Sequence, residues 1–158
     1  MNRYIDCNEN LVEVFMEVLE QRFPSFVNLN FKLLFDTKRR VRAGKCVLAS
    51  IEATNAKIKF FSKDNIALDG YDFVIIVDLK VWELAQKVDK VRILSHELRH
   101  VFITEKGAPV LMGHEVEDFY QELELNHDDP AWKRNLAIQL EAIYDQEKEM
   151  KKKPKKGH

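Results

Sequence analysis

The sequence predicts an α+β fold, and three observations carry the prediction. Helical and strand-like patterns are segregated, one helix, then strands, then helices, instead of alternating as βαβ units. Residues 71–78, Tyr-Asp-Phe-Val-Ile-Ile-Val-Asp, form a β-branched run with the strongest strand character in the chain. A content of 46% hydrophobic and 32% charged residues over 158 positions suits one globular core that needs neither disulfides nor a structural metal. The expected architecture is a small, mostly antiparallel or mixed sheet packed against an N-terminal helix, with further helices at the C-terminal end.

The elements follow in order. Leu11, Val14, Phe15, Val18 and Leu19 recur at helical spacing, with Asp6 and Glu9 as a capping box and Pro24 as the stop. Residues 30–36 and 46–51 are short apolar-rich runs joined through the basic, Gly-containing stretch 37–45, which predicts two strands and a turn. Residues 57–61 are expected to add another strand, and Asp69-Gly70 is a turn signal leading into the strand at 71–78. Beyond Asp78 the period becomes helical: a short piece over 81–86, a helix from Val88 to about Glu105 closed by Gly107 and Pro109, and a third over 114–125. The last helix has Asp129 at its cap, Pro130 in its first turn, and Trp132, Leu136, Leu140 and Ile143 as its apolar stripe. Residues 1–149 are read as one domain and the Lys-rich residues 150–158 as a disordered tail.

Composition excludes several classes. The longest apolar run, residues 73–77, is far short of the ~20 residues of a membrane helix. With 25 Lys+Arg against 26 Asp+Glu there is no general drive toward nucleic acid. Cys7 and Cys46 form no C-x-x-C and read as reduced packing residues. Acidic residues at Asp6 and Glu9 break any signal-peptide pattern, so a cytoplasmic location is expected.

The chemistry concentrates in Ser95-His96-Glu97-Leu98-Arg99-His100. His-Glu-x-x-His within a helix puts two imidazoles on one face to share a metal ion, zinc being the best match, with a carboxylate beside them to act on water. On a helical wheel Val91, Leu94, Leu98 and Val101 make a core arc, and Arg92, Ser95, Arg99 and Lys106 a solvent arc. His96, Glu97, His100, Ile93 and Thr104 share a third arc. A third ligand must come from elsewhere: His114 is the best candidate, with Asp118, Glu117 and His127 as alternatives, and Asp118 also suits a role behind a ligand.

Taken together, Arg42-Ala43-Gly44-Lys45, the strand at 71–78, Trp82, the motif at 95–100 and Gly113-His114-Glu115-Val116-Glu117-Asp118-Phe119 resemble one family. It is the phage metallopeptidase family, small zincin-like proteins of phages and prophages distantly related to SprT-like zincins; the resemblance spans about residues 30–125 and takes in Trp132. It implies a minimal zincin-like fold in which the strand at 71–77 lies at the sheet edge above the metal, open to an extended peptide. It further implies His96, His100 and His114 as zinc ligands, Glu97 as catalytic acid/base, a protein or peptide substrate, and, for a phage-encoded protein, work in the host-cell cytoplasm. Tyr120, His127 and Tyr144 are available to stabilise the charge that develops on the substrate, and no spacing marks one of them out.

Two basic clusters stand apart from the motif. Lys38, Arg39, Arg40, Arg42 and Lys45 crowd a predicted turn, and Lys151, Lys152, Lys153, Lys155 and Lys156 fill the tail. They open two alternatives to a free peptidase: a regulatory or repair protease working on DNA-bound targets, or a non-catalytic, zinc-stabilised phage binding module. Glu97 argues against the second, since a structural zinc site needs no base.

Overall fold

The first element is a strand that the sequence pattern does not announce. In the computed structural model, which describes residues 2–113 and 119–152 (Tyr120 and Lys152 by backbone alone), β1 (Tyr4–Asp6) pairs antiparallel with β2 (Phe31–Asp36). Asp6 is therefore inside a strand and caps nothing. The helix α1 (Glu9–Arg22) is capped instead by Asn8, whose Oδ1 accepts from the Leu11 N–H at 2.8 Å. Its buried face is the expected Leu11, Val14, Phe15, Val18 and Leu19, and Pro24 opens a 3₁₀ turn (Pro24–Phe26) after it.

The sheet is mixed. β2 runs parallel to β6 (Phe73–Asp78), and β5 (Ala49–Ala53) runs antiparallel to β6 on its other side, giving the order β1-β2-β6-β5. The strand expected at the sheet edge is thus an interior one: both edges of β6 are hydrogen-bonded and nearly all its residues are buried, which accounts for its two-sided apolar sequence. The edge strand on that side is β5. One face of the sheet carries Phe31, Leu33, Phe35, Phe73, Ile75 and Val77 into the core. There Phe15 meets Phe31 edge-on at 5.4 Å and Trp82 tilts over Phe35 at 6.4 Å.

Within the basic stretch, β3 (Val41–Arg42) and β4 (Lys45–Cys46) form a hairpin whose two turn residues, Ala43 and Gly44, both have positive φ, 52° and 76°. That is the two-residue turn matched to strand twist, and glycine makes half of it free of strain. The strand expected at 57–61 is a helix, α2 (Ala56–Phe61), because Asn55 caps it through the Ile58 N–H at 2.8 Å. A loop then returns to β6 through Gly70 at φ 88°, where a Cβ would lie 1.8 Å from the Lys59 carbonyl oxygen, so no other residue fits there.

After β6, Asp78 caps α3 (Leu79–Leu84), and α4 (Lys87–Leu98) follows against α1 and β5. The motif helix stops well before Glu105. Arg99 donates its N–H to the Ser95 carbonyl at 3.0 Å and closes the last turn; β7 (Val101–Ile103) and β8 (Pro109–Leu111) then pair as a hairpin turned at Gly107, φ 82°. Val101, Phe102 and Ile103 are β-formers, and their pairing outweighs the helical spacing that runs through them.

Of the helix expected over 114–125, residues 114–118 lie outside the described residues and α5 (Tyr120–Leu125) is its end. The helix α6 (Trp132–Lys152) buries Trp132, Leu136 and Leu140 and half-buries Ile143, and it carries Met150, Lys151 and Lys152 in helical form, three residues into the expected tail. Residues 153–158 lie outside the described residues. Cys7 and Cys46 are both free thiols. Among the described residues no helix is long and apolar enough to cross a membrane.

Candidate metal centre

The second half of α4 is buried all round. Arg92, Ile93, Leu94, Ser95, His96, Glu97 and Leu98 are buried in succession, so the solvent arc read from the helical wheel does not exist. The reason is ionic. Arg92 reaches Asp128 at 2.7 Å, Asp89 at 3.2 Å and Asp129 at 3.4 Å, and its Nε donates to Asn126 at 3.3 Å. Arg99 grips the fully buried Glu122 carboxylate at 2.9 and 3.1 Å and lies 4.5 Å over the Phe23 ring. These two arginines lash α5 and the start of α6 to the motif helix.

His96, Glu97 and His100 are brought together at the helix end. The His96 and His100 rings stand 5.6 Å apart at 77°, and His100, one residue past the C-cap Arg99, keeps the spiral because its N–H bonds the Glu97 carbonyl at 3.2 Å. Phe119, itself buried, lies against both rings, 5.6 Å from His96 and 5.0 Å from His100.

The contacts of the rings orient them. His100 Nδ1 lies 2.7 Å from the Met112 carbonyl oxygen; a carbonyl only accepts, so Nδ1 bears a proton, and in the neutral ring Nε2 is then the ligating nitrogen. The Met112 N–H in turn donates to the His100 carbonyl at 2.8 Å, so the hairpin clamps this residue from two sides. His96 Nε2 faces the Lys133 ammonium of α6 at 3.4 Å. Two imidazoles on one helix end, one held by a backbone carbonyl, are a donor pair that a divalent metal of zinc's kind takes.

Glu97 is buried between them. Burial pushes its carboxyl up to about 7, against the charges of His96, Lys133, Arg40 and Arg42, which favour the carboxylate. Next to His100, a cavity of about 320 Å³ opens between the β7–β8 hairpin and α5, lined by Arg99, Val101, Phe102, Met112, Phe119 and Gln121.

The other sequence candidates fare differently. His114, Glu117 and Asp118 lie outside the described residues, and among those described no group of three or more His, Cys, Asp or Glu is placed to hold a metal. His127 is exposed, its Nδ1 2.9 Å from the Glu124 carbonyl oxygen of its own turn. Tyr144 is spent elsewhere, donating to Asp78 at 2.6 Å. In the basic turn, Arg40 binds Asp36 at 3.2 Å and Ser50 at 2.7 Å, and Arg39 binds Asp145 at 2.9 Å. Two of the five cations thus tie the turn to the sheet and α6, leaving Lys38, Arg42 and Lys45 exposed. Sequence reasoning missed Lys133, the Arg99–Glu122 pair and the Met112 carbonyl; all three arise from contacts between distant segments, and no spacing rule reports them.

A protein-family model described as "Putative phage metallopeptidase" matches residues 4–146 of the chain. No curated protein and no solved structure matches it.

Proposed function

The chain belongs to the phage metallopeptidase family, and on that premise we propose that it hydrolyses peptide bonds of a protein or peptide substrate with zinc as its metal. His96, His100 and His114 hold the ion, and Asp118 orients one of them from behind. Zinc, when bound, supplies a Lewis acid that polarises the scissile carbonyl and makes water easier to deprotonate.

The remaining work falls to the protein. Glu97 takes the proton from the attacking water and passes it to the leaving amine, a task suited to a carboxyl held near neutral pH by burial. The observation that carries this reading is the pairing of His100 Nδ1 with the Met112 carbonyl, which fixes the ring and makes Nε2 its ligating nitrogen, with the His96 ring 5.6 Å away. An extended peptide would add to β5, the edge strand beside α4, with one of its side chains in the cavity next to His100.

The test is the zinc content of the untagged protein and of folded His100→Ala, His114→Ala and Asp118→Ala variants, checked by circular dichroism. The expected result is one zinc per chain, lost in the two His variants and retained in the Asp118 variant. A folded wild type that takes up no zinc when supplied with it overturns the reading.

A further inference from the structure

The sequence motif accounts for His96, Glu97 and His100, but not for the side chain that reaches them from the opposite wall. Lys133 sits in the first turn of α6, beside the buried Trp132, where the contacts of Arg92 with Asp128 and Asp129 fix the chain. Its ammonium lies 3.4 Å from His96 Nε2, a nitrogen that a metal at this site would use, and its charge acts on Glu97. It is half-buried, and no salt bridge joins it to a carboxylate among the described residues. A lysine so placed ordinarily reaches for water or an acid; this one is turned to an imidazole.

An ion bound at that nitrogen stands about 2 Å from it, so the ion and the ammonium 3.4 Å away claim the same space. Two cations there repel strongly. The lysine stem has the freedom to withdraw, whereas His96 and Glu97 on the buried helix have none.

We propose that Lys133 is the resident cation of this site: its ammonium fills the metal position when the ion is absent, the incoming ion must displace it, and its charge thereby sets metal affinity. The proposal rests on the metal-centre reading above and goes beyond it. It gives α6, which carries no motif residue, control over loading of a site built on α4.

The experiment is a titration of the full-length, chelator-stripped protein with Zn²⁺ and with Co²⁺ in competition with a chromophoric chelator. Wild type is compared with Lys133→Met, Lys133→Arg and His100→Ala, with Lys133→Gln replacing the Met variant if that fails to fold. Lys133→Met is expected to bind the ion about tenfold more tightly than wild type, the lower end of what residues around a metal's ligands commonly contribute. Lys133→Arg, which keeps the charge, is expected to stay near wild type. A damaged site binds more weakly, so tighter binding by Lys133→Met excludes a merely structural role for the lysine. Unchanged or weaker binding by Lys133→Met, or equal tightening by Lys133→Arg, overturns the proposal while leaving the metal centre standing, provided that His100→Ala abolishes uptake. Absence of uptake by both wild type and Lys133→Met, each folded by circular dichroism, overturns the two together.

Discussion

Two buried carboxylate sites, one at the ends of β2 and β6 and one at the end of α4, are set up differently. At the C-terminal ends of β2 and β6, the register partners Asp36 and Asp78 are almost wholly buried, and each is held by more than one partner. Asp36 accepts from Arg3 and from the Lys38 N–H and pairs with Arg40; Asp78 accepts from the Tyr144 hydroxyl and the Val81 N–H. At the end of α4, Glu97 is buried too, and the largest influences on its carboxyl are burial, which raises it, and the charges of His96, Lys133, Arg40 and Arg42, which lower it. The acids at the strand ends are held by hydrogen bonds and ion pairs, whereas the carboxyl of the motif is governed mainly by burial and by the charges around it.

That contrast is open to direct attack. Its largest expected consequence is in Glu97→Gln, where peptide cleavage falls by about 10²–10⁴-fold, the usual contribution of a general base. Zinc content is retained and the melting temperature is no lower than wild type, since a carboxyl whose charge is disfavoured by burial is removed. A Gln variant that cleaves at the wild-type rate, or that melts well below it, breaks the comparison.

Next comes Arg99→Ala, which strands the fully buried Glu122 carboxylate and is expected to cost about 3–5 kcal/mol in denaturant unfolding. A loss under 1 kcal/mol would mean that water reaches Glu122 and that its pair is not structural. Smaller again is Tyr144→Phe, which removes the 2.6 Å bond to Asp78 and should cost about 1–3 kcal/mol without touching metal uptake. Loss of metal in that variant would join the two regions that the comparison separates.

The smallest effect is alkaline. Tyr71 donates to Asp64 at 2.6 Å, and its hydroxyl is pushed up to about 12, by burial first and by Asp64 second. A folded-state value raised above the unfolded 10 contributes stability that is complete below pH about 10 and is lost as pH rises through about 12. Melting temperature followed across that window should fall less steeply in Tyr71→Phe than in wild type, and parallel curves would exclude this hydroxyl as a contributor.

What was legible in the sequence was local. The apolar stripes of α1 and α6, the interior strand β6 and the pairing of His96 with His100 all follow from periodicity, which the fold leaves intact. The misreadings came where a nearby alternative won. Asn8, two residues beyond Asp6, is the better-placed cap because β1 claims Asp6; Asn55 turns a β-like run into α2; hairpin pairing ends the motif helix at Leu98. Arg92 and Arg99 were read as solvent-facing because a wheel knows nothing of acids on other elements, and Asp128, Asp129 and Glu122 supply them. Lys133 was invisible for the same reason, its role being set by α6 packing and by no neighbour in sequence.

The hairpin after His100 acts as a ruler. Residues 100 and 112 are bonded to one another twice, so the distance between the imidazole and the chain that leads on toward His114 is counted out in paired residues, Val101 with Leu111, Phe102 with Val110, Ile103 with Pro109. Extra residues at the tip, around Lys106, lengthen the turn and leave the count unchanged. One residue added or removed within either strand puts a different backbone group opposite His100 and presents alternate side chains to the opposite face. Tolerance to insertion in this segment is therefore a matter of parity and position, high at the tip and nil along the ladder.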